Sequence, residues 1–105
     1  MVEIELGRLL NELDRFSWKE CVYIQSDTAI SPMLSCLVMD DDIAELGSDD
    51  FTPLEVEQRG MIEFLSVQDL KGVIKFLENS KVNASTDVKC AAVAYYFEHD
   101  AFMPA

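Results

Sequence analysis

Three short, mainly apolar runs, each with at least one β-branched or aromatic residue, punctuate a chain whose other apolar residues recur at helical spacing. The runs are Cys21-Val22-Tyr23-Ile24, Ser35-Cys36-Leu37-Val38-Met39 and Met61-Ile62-Glu63-Phe64-Leu65. Such side chains suit a pleated, half-buried surface. An i, i+3, i+4, i+7 recurrence instead lines one face of a helix. Leu6, Leu9, Leu10 and Leu13 predict an amphipathic helix over about residues 3–15. Leu70, Val73, Ile74 and Leu77 predict another over 67–79, started by a capping-box-like Ser66. Val88, Ala91, Ala92, Tyr95 and Tyr96 mark the buried face of a third over 86–99, capped by Ser85 or Thr86, with Val93 and Phe97 at its margin. Thr52-Pro53 is a helix-start pair, with Thr52 as cap and Pro53 at the first position, for a short helix that Gly60 closes.

The resulting order is helix, strand, strand, short helix, strand, helix, helix. It predicts an α/β (α+β) domain. A small three-stranded, mainly antiparallel sheet near 21–25, 35–39 and 61–65 packs against three main helices. The expected core is Leu9, Leu10, Leu13, Val22, Ile24, Leu37, Ile62, Phe64, Leu70, Ile74, Leu77 and Tyr95. With 105 residues, half of them hydrophobic, the chain fits a single domain, 1–105, with one core. About two-thirds of the unfolded surface can be buried at this length, so no disulfide or metal is needed to hold it.

Charge is the strongest functional signal. Between Lys19 and Arg59 there is no basic residue, while Glu20, Asp27, Asp40, Asp41, Asp42, Glu45, Asp49, Asp50, Glu55 and Glu57 lie inside that window. The net charge is -12. Nucleic-acid binding relies on Lys and Arg neutralising phosphates, so it is not expected. An anionic membrane surface is disfavoured for the same reason. A protein-recognition surface for a basic partner is expected at Asp40, Asp41, Asp42, Glu45, Asp49, Asp50, Glu55 and Glu57, with Phe51 or Ile43 as the apolar anchor. The alternatives are a merely solvated acidic loop and a Ca²⁺ or Mg²⁺ site. The EF-hand spacing fails, because Ala44 stands where a third ligand belongs and Glu45 where the glycine belongs.

The chain carries no catalytic signature. It has no G-x-S-x-G, G-x-G-x-x-G, P-loop or H-E-x-x-H. Cys21, Cys36 and Cys90 are odd in number, widely spaced and in apolar context, which predicts buried free thiols in a reducing cytoplasm. The acidic start, Met-Val-Glu-Ile-Glu-Leu, has no secretory-signal pattern, and no apolar run approaches the roughly 20 residues of a membrane span. His99, the single histidine, sits in Glu98-His99-Asp100, where neighbours on a helix diverge; a helix-end histidine is the simpler expectation. Tyr95-Tyr96-Phe97 spans about 200 degrees of a helix, so one of the three must reach the surface. The apolar tail Ala101-Phe102-Met103-Pro104 is expected to fold back on the core.

Several of these features occur together in one known group. Trp18 shortly before the Val22-Tyr23 strand, Val67-Gln68-Asp69-Leu70 opening a helix, and the helix ending Tyr95-Tyr96-Phe97-Glu98-His99-Asp100-Ala101-Phe102, in a small acidic chain, resemble the immunity proteins of bacterial contact-dependent growth inhibition and related polymorphic toxin systems. The resemblance implies cytoplasmic expression beside a toxin and one-to-one binding of the toxin's C-terminal domain, without catalysis or cofactor. Many such toxins are nucleases with basic clefts. Two other classes remain open: an adaptor or regulatory interaction module, and a divalent-cation module.

Overall fold

The chain begins with a strand. The computed structural model describes residues 2–40, 46–48, 53–80 and 84–102. It places β1 at Val2–Glu5, α1 at Leu6–Asn11 and a single 3-10 turn at Leu13–Arg15. The one helix expected over 3–15 is therefore corrected to strand, short helix and turn. The cause is the alternation Val2-Glu3-Ile4-Glu5. A period of two sends Ile4 into the core and both glutamates to solvent. The switch to helix is pinned where the Leu6 N–H donates to the Leu34 carbonyl (2.8 Å) and the Gly7 N–H to the Pro32 carbonyl (2.9 Å). At the other end the backbone leaves helical geometry at Glu12, with φ -126°. The Glu12 carboxylate accepts from Arg15 Nη1 (2.6 Å) and Arg8 Nε (2.7 Å), and these two guanidinium groups hold its pKa below the ordinary range.

Strands β2 (Glu20–Gln25), β3 (Ser35–Asp40) and β4 (Met61–Ser66) form where the apolar runs predict them. With β1 they make a four-stranded sheet in the order β1-β3-β2-β4, every neighbour antiparallel, so the expected three strands become four. Helix α2 (Leu54–Arg59) is followed by α3 (Val67–Asn79) and α4 (Thr86–His99). Ser66 Oγ accepts from the Asp69 N–H (3.1 Å) and Ser85 Oγ from the Val88 N–H (3.3 Å), capping α3 and α4. Gly60 ends α2 in the left-handed region, φ 66°, which glycine adopts without a Cβ penalty. The expected cap Thr52 lies outside the described residues. Pro53 flanks the helix rather than occupying its first turn, and its carbonyl accepts from the Glu57 N–H.

The two faces of the sheet are covered unequally. Ile4, Val22, Ile24, Cys36 and Val38 meet the apolar sides of α1, α3 and α4 in the main core. On the reverse face Tyr23, Leu37 and Met39 pack under Val56 of α2, forming a small second cluster. A bulge lies at the β2–β4 pairing: Val22 faces Leu65 and Tyr23 faces Glu63, leaving Phe64 as the extra residue. Phe64 is buried, with its ring 4.9 Å from that of Phe97.

Ten of the twelve expected core residues are buried. Ile62 is corrected to a surface position, 42% exposed, and Tyr95 to a half-buried one. On α4 the buried residues are Cys90, Ala92 and Val93, while Ala91 faces solvent.

Two glycines separate packing from propensity. A Cβ at Gly7 would lie 2.9 Å from Thr86 Cγ2, 3.0 Å from Pro32 Cβ and 3.1 Å from the Pro32 carbonyl oxygen. Alanine favours a helix by about 1 kcal/mol, but this crowding costs about 1–3 kcal/mol, so Gly7→Ala should destabilise. Gly72, exposed on α3, has nothing within 4 Å of such a Cβ, and Gly72→Ala should stabilise by about 0.5–1 kcal/mol. Urea unfolding of both variants checks this: shifts of the same sign would contradict the packing at Gly7.

Candidate functional site

Strand alternation and the placement of α2 decide where the carboxylates go. Of the expected recognition residues, Asp41, Asp42, Glu45, Asp49, Asp50 and Phe51, together with Ile43, lie outside the described residues. Asp40 ends β3 directly opposite Glu20 of β2, and by alternation it shares the helix-covered side with Val38. Glu55 and Glu57 ride on α2, over the reverse face. The described members of the acidic window are thus divided between the two sides of the sheet.

The helix carboxylates also have intramolecular roles. Glu55 pairs with Arg59 (Oε1 to Nη2, 2.7 Å). Arg59 Nη1 also binds Glu3 of β1, and Gln25 Nε2 donates to the Arg59 carbonyl (3.3 Å). Glu3 first, then Glu55, raise the guanidinium pKa. Arg59 thereby straps α2 across the sheet. Glu57 accepts from the Ser48 N–H (2.9 Å) and Ser48 Oγ (3.1 Å), close to the bridge between Leu46 and Pro53. Arg59 thus offsets the charge of Glu55, while Glu57 keeps its charge and ties Ser48 to α2.

Other carboxylates take their place. One row across the reverse face reads Glu3, Leu37, Tyr23, Glu63, from edge strand to edge strand. Glu5 lies in the next row, opposite Ser35. Glu5 and Glu63 are exposed, and among the described residues neither enters an ion pair or hydrogen bond. Sequence reasoning passed over both. The signal was present as acidic residues alternating with apolar ones in Val2-Glu3-Ile4-Glu5 and Ile62-Glu63-Phe64. The surplus is sharpened because five of the eight Lys and Arg are employed locally. Arg8 and Arg15 serve Glu12, Arg59 serves Glu3 and Glu55, Lys71 Nζ donates to the Phe16 carbonyl (2.9 Å) and Lys89 Nζ to Asn11 Oδ1 (3.0 Å).

The chain matches one family model, described as Domain of unknown function (DUF7716), over residues 3–105. The chain belongs to this family. No curated protein and no solved structure matches it.

In this DUF7716 domain the sites of ordinary side-chain chemistry are placed as follows. Cys36 and Cys90 are buried thiols, and Cys21 is half-buried. Burial, with a lesser contribution from Cys90, pushes the Cys36 pKa up to about 12; burial, then Asp87, raises that of Cys90. The neutral Cys36 thiol therefore contributes its stability fully below the ordinary value of 9.0, and that stability is lost as pH rises toward about 12. In the native protein Cys36 and Cys90 should resist a thiol-disulfide reagent at mildly alkaline pH and react only after unfolding. Fast native labelling of Cys36, located by mass spectrometry, would contradict their burial.

His99 stands at the C-terminal end of α4, its ring 4.2 Å from that of Tyr95 and its Nε2 4.0 Å from Glu98. Phe97 is the surface member of the aromatic triplet, and Phe102 folds back to stack on Phe76 at 4.6 Å. Met103 and Pro104 lie outside the described residues. Among the described residues no group of three or more His, Cys, Asp or Glu could hold a metal ion, and no helix is long and apolar enough to cross a membrane.

Proposed function

We propose that this DUF7716 domain is an immunity-type protein of the cytoplasm that binds a basic toxin domain one-to-one and neutralises it by occlusion. The observation that supports the reading is the set of carboxylates on the reverse face, with Glu5 and Glu63 on opposite edge strands and the Glu3–Arg59–Glu55 strap between them. Such a face fits a basic cleft that otherwise grips phosphates. The acidic residues of the 41–50 stretch and Phe51 extend the proposed contact. Complementary charge speeds encounter and fixes register, while apolar contacts inside the rim set the lifetime.

Revising the contact residues changes the choice of test. Reversing Glu55 or Glu57 would disturb the α2 strap as well as the surface. Glu5→Lys with Glu63→Lys changes charge at exposed positions, where substitutions usually alter stability by no more than about 0.5 kcal/mol. The partner is the C-terminal toxin domain encoded beside this gene. The test is association kinetics of that domain with wild type and the double variant, read against ionic strength. Equal protection of cells by both proteins, with equal association rates, would remove this face from the interface.

A further inference from the structure

A shallow groove opens where the end of β2, the start of β4 and the last turns of α4 meet, and Gln25, which donates to the Arg59 carbonyl, is one of its lining residues. Its lining is mixed: Ile30, Ile62, Ala94 and Phe97 are apolar, Gln25 and Thr28 are polar, and Asp27 and Glu98 are acidic. Ile62 and Phe97 are two of the large hydrophobic residues left exposed, at 42% and 37%, and they line this same groove. The Phe97 ring packs against that of buried Phe64, 4.9 Å between centroids and tilted by 53°. Among the described residues no Lys or Arg lines the groove. Glu98 has only the 4.0 Å approach of His99, and Asp27 enters no ion pair among the described residues.

A groove with apolar residues beside two carboxylates suits a side chain with an aliphatic stem and a cationic head. Lys and Arg both bury their stems on apolar surface while the head stays polar. Arg adds two features that match this groove. Its planar guanidinium stacks on an aromatic face, here Phe97. Its fork of N–H donors can address more than one acceptor, and Asp27 and Glu98 both line the groove. A second copy of this chain is a poor occupant, because docking would bring together two molecules that each carry -12.

We propose that this groove receives an arginine side chain of the partner protein, with its stem on Ile62 and Ala94, its guanidinium over Phe97 and its donors on Asp27 and Glu98. The proposal rests on the reading of the partner as basic, and it moves part of the contact to residues away from the reverse face of the sheet, among them Asp27 of the acidic window. Ile62 pairs with Ile24 on the helix-covered side, so the groove adds an apolar anchor beyond the β4 edge from the carboxylates of the reverse face, not among them.

The test uses the full chain and a defined probe, N-acetyl-arginine N-methylamide, followed by methyl and amide NMR. The expected result is saturable shifts centred on the Ile30, Ile62 and Ala94 methyl groups and the Phe97 amide. Asp27→Asn with Glu98→Gln should weaken binding about tenfold or more by removing both charge-assisted contacts. Ile62→Ala, a change at an exposed position, should weaken it without altering the rest of the spectrum. Equal binding of the leucine analogue at the same methyl groups would overturn the proposal in favour of a purely apolar pocket. Equal binding of the lysine analogue would remove the guanidinium requirement. Shifts spread over the Glu5–Glu63 face without saturation would overturn it as well. A basic domain that associates with wild type in a salt-dependent manner, yet binds the Asp27→Asn, Glu98→Gln variant equally well, would sink this groove while leaving the broader reading intact.

Discussion

Leu70→Ala should lower the thermal midpoint by about 10 °C or more. Leu70 is fully buried in the first turn of α3, the helix that contacts β2, β4, α4 and the 3-10 turn together. Truncating it removes transfer free energy and leaves a cavity that the surrounding elements cannot all relax into, a loss of about 2–5 kcal/mol. For a domain near this size each kcal/mol shifts the midpoint by about 4–8 °C. Ile74 is a useful contrast. It is 9% exposed and lines the open side groove between α3 and the 3-10 turn. Ile74→Ala should therefore fall toward the lower end of the same range. Thermal unfolding followed by circular dichroism reads both variants. A Leu70→Ala midpoint within a degree or so of wild type would mean that α3 does not key the main core.

The elements legible in the sequence share one property: local pattern and tertiary environment agree. The runs at 21–25, 35–39 and 61–65 are strands because each carries side chains suited to a sheet, and α3 follows its stripe because Leu70, Val73, Ile74 and Leu77 all face the core. Ser66, Ser85 and Gly60 mark helix ends by side-chain and backbone chemistry that does not depend on distant contacts.

The misses have physical causes as well. At the N-terminus a period-two segment runs directly into a period-3.6 segment, and Leu6 belongs to both, so the longer leucine pattern absorbed the strand. Helix α4 is apolar at most positions from Val88 to Phe97, and no stripe stands out; contact with α1 and α3, not periodicity, selects Cys90 and Val93 over Ala91. Ile62 reads as core by strand alternation, but it sits at the open end of β4 beside the groove. The acidic window illustrates a further limit. Sequence proximity suggested one continuous patch, whereas strand alternation puts Asp40 on one side of the sheet and α2 carries Glu55 and Glu57 to the other. Glu63, far in sequence from Glu3 and Glu5, joins them on the reverse face only once the strand order is known.

Glu5→Lys with Glu63→Lys should slow association with the basic partner domain at low salt by about tenfold or more. The two reversals move the net charge of -12 four units toward neutrality, and they do so on one face. Electrostatic steering raises association rates by about 10–10³-fold, and rim charges act chiefly on that rate and its salt dependence. Dissociation should change far less, because the desolvated contacts that set the lifetime are untouched. Added salt screens exposed charges over about 10 Å at 0.1 M, so the wild-type rate should fall steeply and converge on that of the variant.

The most direct measurement is stopped-flow association of the proposed partner, a basic toxin domain, with wild type and with this double variant across a salt series. The account predicts a steep wild-type dependence, a shallow one for the variant, and convergence at high salt. A wild-type rate insensitive to salt, or two superimposable curves, would contradict the claim that the acidic reverse face guides this protein to a basic partner.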